Sequence, residues 1–160
     1  MGGESRRDAK RSRLPAVILV DTSAWIELLR GTGHPAHATL RHHLERRAPI
    51  AATEPVIMEL LAGARGASDR SRLRARLIGL PRLAVRGLAD FESAAELYRA
   101  CRGRGATVRK LIDCLIAAVA IREHATVLHN DRDFDVLARH TRLRIERYRV
   151  LRAVPSRRAP

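Results

Sequence analysis

The sequence predicts an α/β fold, with helices packed on both sides of a mostly parallel sheet. Three observations carry that expectation. Short apolar runs alternate with longer segments of helical periodicity along most of the chain. The run Ala16–Val20 (AVILV) is apolar throughout and rich in β-branched residues, as a strand covered on both faces must be. The segment Leu111–Ile121 is apolar everywhere except Asp113, which at helical pitch leaves almost no polar face and marks a buried helix.

The elements follow in order. After the strand Ala16–Val20, Thr22 or Ser23 caps a helix through about Arg30, stopped by Gly31 and Gly33. A second helix follows Pro35 and uses Ala38, Leu40 and Leu44; Pro49–Ala52 is a short strand. Thr53 caps Glu54–Ala62, with Pro55 in the first turn and Gly63 at the end. Asp69–Leu80 is amphipathic, with Leu73, Leu77 and Leu80 on one stripe and Arg70, Arg72, Arg74 and Arg76 elsewhere. Leu83–Val85 reads as a third strand, and Leu88–Arg102 places Phe91, Ala94, Ala95, Tyr98 and Cys101 on one face. The glycines at 103 and 105 break that helix before the Asp113 helix begins. Ala125–Leu128 is a fourth strand, Phe134–Arg139 a short helix and Leu143–Tyr148 an edge strand.

A chain of 160 residues with 46% hydrophobic content supports one domain with a true core, built from aliphatic side chains because only 3% is aromatic. The domain spans 14–150, between a disordered basic arm at 1–13 and a basic tail at 151–160. Arm and tail carry +3 each, which leaves +8 of the net +14 on the domain itself. Such a surface suits a polyanionic partner, nucleic acid or an acidic protein. Cys101 and Cys114 make no disulfide framework or zinc pattern, which fits a reduced cytoplasmic setting. No run is long enough to span a membrane, and the apolar stretch ending at Val20 is too short for a signal peptide.

The chemistry lies in acids that interrupt apolar surroundings. A carboxylate at Asp113 must be answered by an Arg partner, a helix N-terminus or a metal shared with other acids. Asp21 directly follows the first strand, at the sheet edge where open α/β folds bind ligands; alternatively it caps a helix. Glu59 sits in an apolar short helix, where it either serves the site or faces solvent. Asp131 and Asp133 follow the strand TVLH, where turn and capping roles compete with a functional one. Gathered at one sheet edge, these acids would repel one another unless hard divalent cations bound there. Beside a basic surface, that points to phosphodiester hydrolysis by metal-activated water. His129 is a candidate substrate contact, whereas His34, His37, His42 and His43 read as a solvated helix face. Trp25 and Phe134 read as packing residues.

These residues carry a resemblance. VILVDTSAWIELLRG at 17–31, ELLAG at 59–63, LIDCLIAAVA at 111–120 and HNDRDFDVLA at 129–138 resemble, in order and spacing, the acidic motifs of PIN-domain ribonucleases. In detail the chain is similar to VapC-type toxins of VapBC toxin–antitoxin pairs. The resemblance implies a PIN-like α/β/α sandwich with a sheet of four to five strands, and a Mg²⁺- or Mn²⁺-dependent endoribonuclease. It also implies a homodimer neutralised by a VapB-type antitoxin. Asp21, Glu59, Asp113 and Asp131 take the catalytic and metal-binding roles, with Asp21 and Asp113 as direct ligands. Asp133 is the alternative fourth acid, and Ser23, Thr22 and Asn130 are supporting residues. Competing readings are an RNA-processing nuclease outside a toxin pair and an inactive nucleic-acid-binding module. A phospho-accepting receiver is disfavoured, because it needs a Lys at the sheet edge and only Lys10 and Lys110 exist.

Overall fold

The computed structural model describes residues 16–148; the predicted arm at 1–13 and tail at 151–160 lie outside the described residues. Four strands, β1 (Ile18–Val20), β2 (Ile50–Ala51), β3 (Thr126–Leu128) and β4 (Arg144–Ile145), form one sheet in the order β2-β1-β3-β4. Every pairing is parallel, as the apolar character of the first strand predicts. The helices are α1 (Thr22–Arg30), α2 (Pro35–Glu45), α3 (Glu54–Ala62), α4 (Ala67–Ile78), α5 (Gly87–Arg102), α6 (Leu111–Arg122) and α7 (Arg132–His140).

The two central strands are the most deeply buried part of the chain. Leu19, Val20, Val127 and Leu128 have no accessible surface. Asp113–Ala120 of α6 are all buried, which accounts for a helix with almost no polar side chains. Val20 stands opposite Leu128 across the β1–β3 pair, and the Asp21 N–H donates to the Leu128 carbonyl at 2.9 Å. Because the strands are parallel and in register, the acidic segments after them leave the sheet at the same edge.

Several local expectations change. Asp21 caps α1 in place of Thr22 or Ser23, its carboxylate accepting the Ser23 N–H at 2.8 Å. Gly31 closes the helix with φ of 62°, a conformation that glycine adopts without a Cβ clash. Leu83–Val85 does not form a strand; contact with β2 is reduced to one parallel bridge between Ala52 and Arg82. The Val85 N–H instead donates to the Glu54 carboxylate at 3.0 Å, and so is lost to a ladder.

Helix α5 is rotated from its predicted face. Its buried line is Asp90, Ala94 and Cys101, while Ala95 is exposed and Phe91 is 55% exposed. The cause is an ion pair: Arg122 Nε and Nη2 donate to the two Asp90 oxygens at 2.9 Å each and draw α5 inward at that residue. In α2, Ala36 and Leu40 are fully buried and Leu44 faces outward. The four α2-region histidines are partly buried, not freely solvated. His34 Nδ1 accepts the Ala36 N–H to cap α2, and its ring meets Tyr148 edge-on. Leu77 is buried beneath α4 with Leu73 and Leu80 packed beside it, as expected. Cys101 and Cys114 are free and buried. Among the described residues, no helix is long and apolar enough to cross a membrane.

Candidate active site

The acids meet where β1 and β3 end and where α6 and α7 begin. Asp113 lies in the first turn of α6, Asp131 is the N-cap of α7, and Asp133 lies in the first turn of α7. One carboxylate oxygen from each falls within 4.8 Å of the other two. Asp21, 3% exposed, is close enough for its charge to act on Asp113, and Glu59 acts in turn on Asp21. Asp113, Asp131 and Asp133 form the close group, with Asp133 joining Asp131, and Asp21 and Glu59 stand outside it.

Hydroxyls hold two of the acids. Thr22 Oγ1 donates to Glu59 Oε2 at 2.6 Å, tying α1 to α3. Ser23 donates from both its backbone N–H and its Oγ to Asp21 Oδ2. The same Oγ accepts the Asn130 N–H at 2.8 Å. Asn130 thus supports the site through its backbone, since its side-chain Nδ2 donates to Glu27 at 3.0 Å. His129, read as a candidate substrate contact, turns inward: it is 5% exposed, packs on Phe134, accepts the Asp131 N–H at Nδ1, and burial pushes its imidazole below the usual range.

The cluster also contains two cations that the acid pattern did not reveal. Arg109 Nε donates to Asp133 at 2.9 Å and its Nη2 to Asp131 at 2.8 Å. Lys110 Nζ donates to Asp131 Oδ2 at 2.7 Å. The backbone N–H groups of both residues donate to Asp133 Oδ2. A signal for this was available in the sequence. Lys110 is the N-cap of α6, and a positive end of a helix dipole disfavours cations unless acids answer them.

These contacts separate the acids by character. Burial pushes the Asp131 carboxyl up, but the hydrogen bond from Lys110 and the Asp133 N–H outweigh it and hold it below the usual range. Burial raises Asp21 despite its bonds from Ser23. Asp113 is raised to about 8, first by burial and then by the charge of Asp21, against the opposing pull of Lys110. Its Oδ2 is buried with no hydrogen-bond partner. Among the described residues no Arg partners Asp113; Arg109 binds its neighbours instead. An orphaned carboxylate oxygen beside other acids, in an all-oxygen donor set, fits a hard divalent cation.

Comparison with known proteins agrees with this geometry. The PIN domain family model matches residues 18–140. Ribonuclease VapC11 of Mycobacterium tuberculosis is 48% identical over 134 residues, covering 83% of this chain and all of that protein. A VapC ribonuclease of Mycobacterium bovis matches equally well. Among solved structures, VapBC2 from Rickettsia felis bound to a promoter DNA fragment superposes with a TM-score of 0.62 at 19% identity, over 81% of this chain and 97% of that one. VapC20 of M. tuberculosis, described as a sarcin–ricin-loop-cleaving toxin, gives 0.59 at 21% identity, over 79% and 98%. At those identities the solved structures speak for the fold, while the family match and the 48% relative speak for descent. The chain belongs to the PIN domain family, within its VapC branch.

Proposed function

We propose that the chain is a cytoplasmic, Mg²⁺- or Mn²⁺-dependent endoribonuclease toxin that hydrolyses RNA phosphodiester bonds and is restrained by a cognate VapB-type antitoxin. The observation that carries this reading is the buried, unpartnered Asp113 Oδ2 within a cluster of acids. Asp21, Asp113 and Glu59, with Asp131, would hold the metal. When bound, the ion would supply a water of lowered pKa as nucleophile and would offset charge on the phosphate. Ser23 and Thr22 fix the carboxylates of Asp21 and Glu59, so the donor set is arranged before metal or substrate arrives. The basic surface gathers RNA.

A cleft of about 620 Å³ between α1, α3 and α4 supports the antitoxin. Ile26, Leu29, Leu60 and Leu73 line it with Arg72 and Arg76, and Glu59 and Asp69 line it too. An amphipathic segment with acidic flanks matches that lining. The homodimer belongs to the same proposal, and sedimentation of the purified chain checks it.

The test is Asp113→Asn. The variant should fold and should cleave no RNA in Mg²⁺ or Mn²⁺. Full activity would remove the proposal, and RNA binding without any cleavage by the wild type would favour a binding module.

A further inference from the structure

Asp131 differs from Asp113 in having its oxygens already bonded. Oδ1 accepts from Arg109 Nη2 and from the Asp133 N–H, and Oδ2 accepts from Lys110 Nζ. Such a carboxylate holds two cationic side chains in place beside the cluster. The two cations differ as well. Arg109 bridges Asp131 and Asp133, so its guanidinium is committed to joining α7 to the start of α6. Lys110 has Asp131 as its one side-chain hydrogen-bond partner among the described residues. An ammonium has three donors, so two remain for another ligand. The side chain is 54% exposed, while the Asp131 side chain beneath it is 12% exposed. The ammonium therefore sits on the solvent side of the acids, and its charge reaches Asp113 and Asp21 as well as Asp131.

Residue choice points the same way. Of 31 basic residues, only Lys10 and Lys110 are lysines, and Lys110 alone lies among the described residues. A chain that otherwise uses arginine places its compact point charge beside the acid cluster. A planar guanidinium makes forked contacts, whereas an ammonium can turn between a carboxylate and an incoming anion.

We infer that Lys110 is a substrate-binding residue whose ammonium contacts the RNA phosphate at the acid cluster, with Asp131 as the positioning residue that aims it. The inference rests on the nuclease reading above. The bland alternative is that Lys110 only neutralises Asp131 and never touches RNA.

Salt dependence of RNA binding separates the two. Affinity for a short mixed-sequence single-stranded RNA is measured in EDTA, across a range of salt, for the full-length wild type, K110A, K110R and the double variant K110A/D131N. The double variant removes the unpaired acid along with its partner, which protects the fold if K110A alone is unstable. Loss of one phosphate contact should make the slope of log affinity against log salt shallower by about 0.7 in K110A. K110A/D131N should be equally shallow, and K110R should keep the wild-type slope. An unchanged slope in K110A, or its restoration in the double variant, overturns the inference and leaves the nuclease reading standing. Failure of the wild type to bind RNA in EDTA overturns the inference alone, whereas failure to cleave any RNA in Mg²⁺ or Mn²⁺ sinks the nuclease reading with it.

Discussion

Ser23 Oγ accepts the Asn130 N–H at 2.8 Å, joining two residues 107 positions apart in the chain. The hydroxyl's own proton goes to Asp21 Oδ2, so one small side chain links the ends of β1 and β3 to an acid of the site. Ser23→Ala should strand a partly buried N–H and loosen Asp21. The expected loss is about 1–3 kcal/mol in stability. RNA cleavage should fall about 10–100-fold, as for other residues that orient metal-binding groups. Urea unfolding and cleavage rates measure the two effects, and a variant of wild-type activity would show that this link is dispensable.

Asp113 makes stability depend on pH in an unusual direction. Its value is about 8 in the folded chain, against an ordinary 3.8. Between those values folding takes up a proton, so stability is greatest at the acid end and declines as pH rises from about 4 towards 8. Asp113→Asn removes that share of the dependence, while Asp21, also raised by burial, keeps its own. In EDTA near pH 8 the variant should be the more stable protein, by on the order of a few kcal/mol, with the gap closing towards pH 4. Added Mg²⁺ should raise the wild-type Tm and leave the variant's unchanged. Thermal melts across pH, with and without metal, decide the matter.

The opposite end of α6 carries a pair that should matter for stability alone. Burial pushes Asp90 up, but the hydrogen bonds from Arg122 and the Arg86 N–H prevail and hold it below the usual carboxylate range. Arg122 also donates to the Ala84 carbonyl at 2.7 Å. Arg122→Met leaves a buried acid without its cation, holding only the Arg86 N–H, and should cost about 3–5 kcal/mol. In the wild type this contribution is present at neutral pH and is lost as pH falls through the depressed Asp90 value. Denaturant midpoints should drop while cleavage by the folded fraction stays intact; a parallel loss of specific activity would contradict the separation.

Leu29 is 51% exposed and lines the α1–α3–α4 cleft. Leu29→Glu places a charge in that cleft at little cost to the fold. Antitoxin affinity should fall about tenfold or more, the scale of a lost interface anchor. RNA cleavage by the free toxin should change less than antitoxin affinity, although Glu59 lines the same cleft. Calorimetric titration with the cognate antitoxin tests this, and unaltered affinity would move the antitoxin away from the cleft.

The fold was legible because its strongest signals are binary. Ala16–Val20 and Leu111–Ile121 have no polar face, and that alone fixes a central strand and a buried helix. Signals that depend on a partner elsewhere were not legible. The rotation of α5 follows from Arg122 claiming Asp90, a contact between residues 32 apart. The missing strand at Leu83–Val85 follows from Glu54 taking the Val85 N–H. In the site, the acids stood out against apolar neighbours, but Arg109 and Lys110 did not, because cations are the commonest polar residues in this chain. Their meaning came from position at a helix N-terminus beside Asp131 and Asp133.

Trp25 is the chain's one tryptophan, 8% exposed, with its indole N–H unpartnered among the described residues. It stands on α1 two residues after Ser23, in the turn of helix that Asp21 caps. The protein therefore carries a single indole, and all indole emission comes from the helix whose N-terminus Asp21 caps. Emission should shift to the red when the chain unfolds, and its intensity should follow rearrangement of the Asp21–Ser23 turn. Loading and release can be timed by stopped flow with no dye attached.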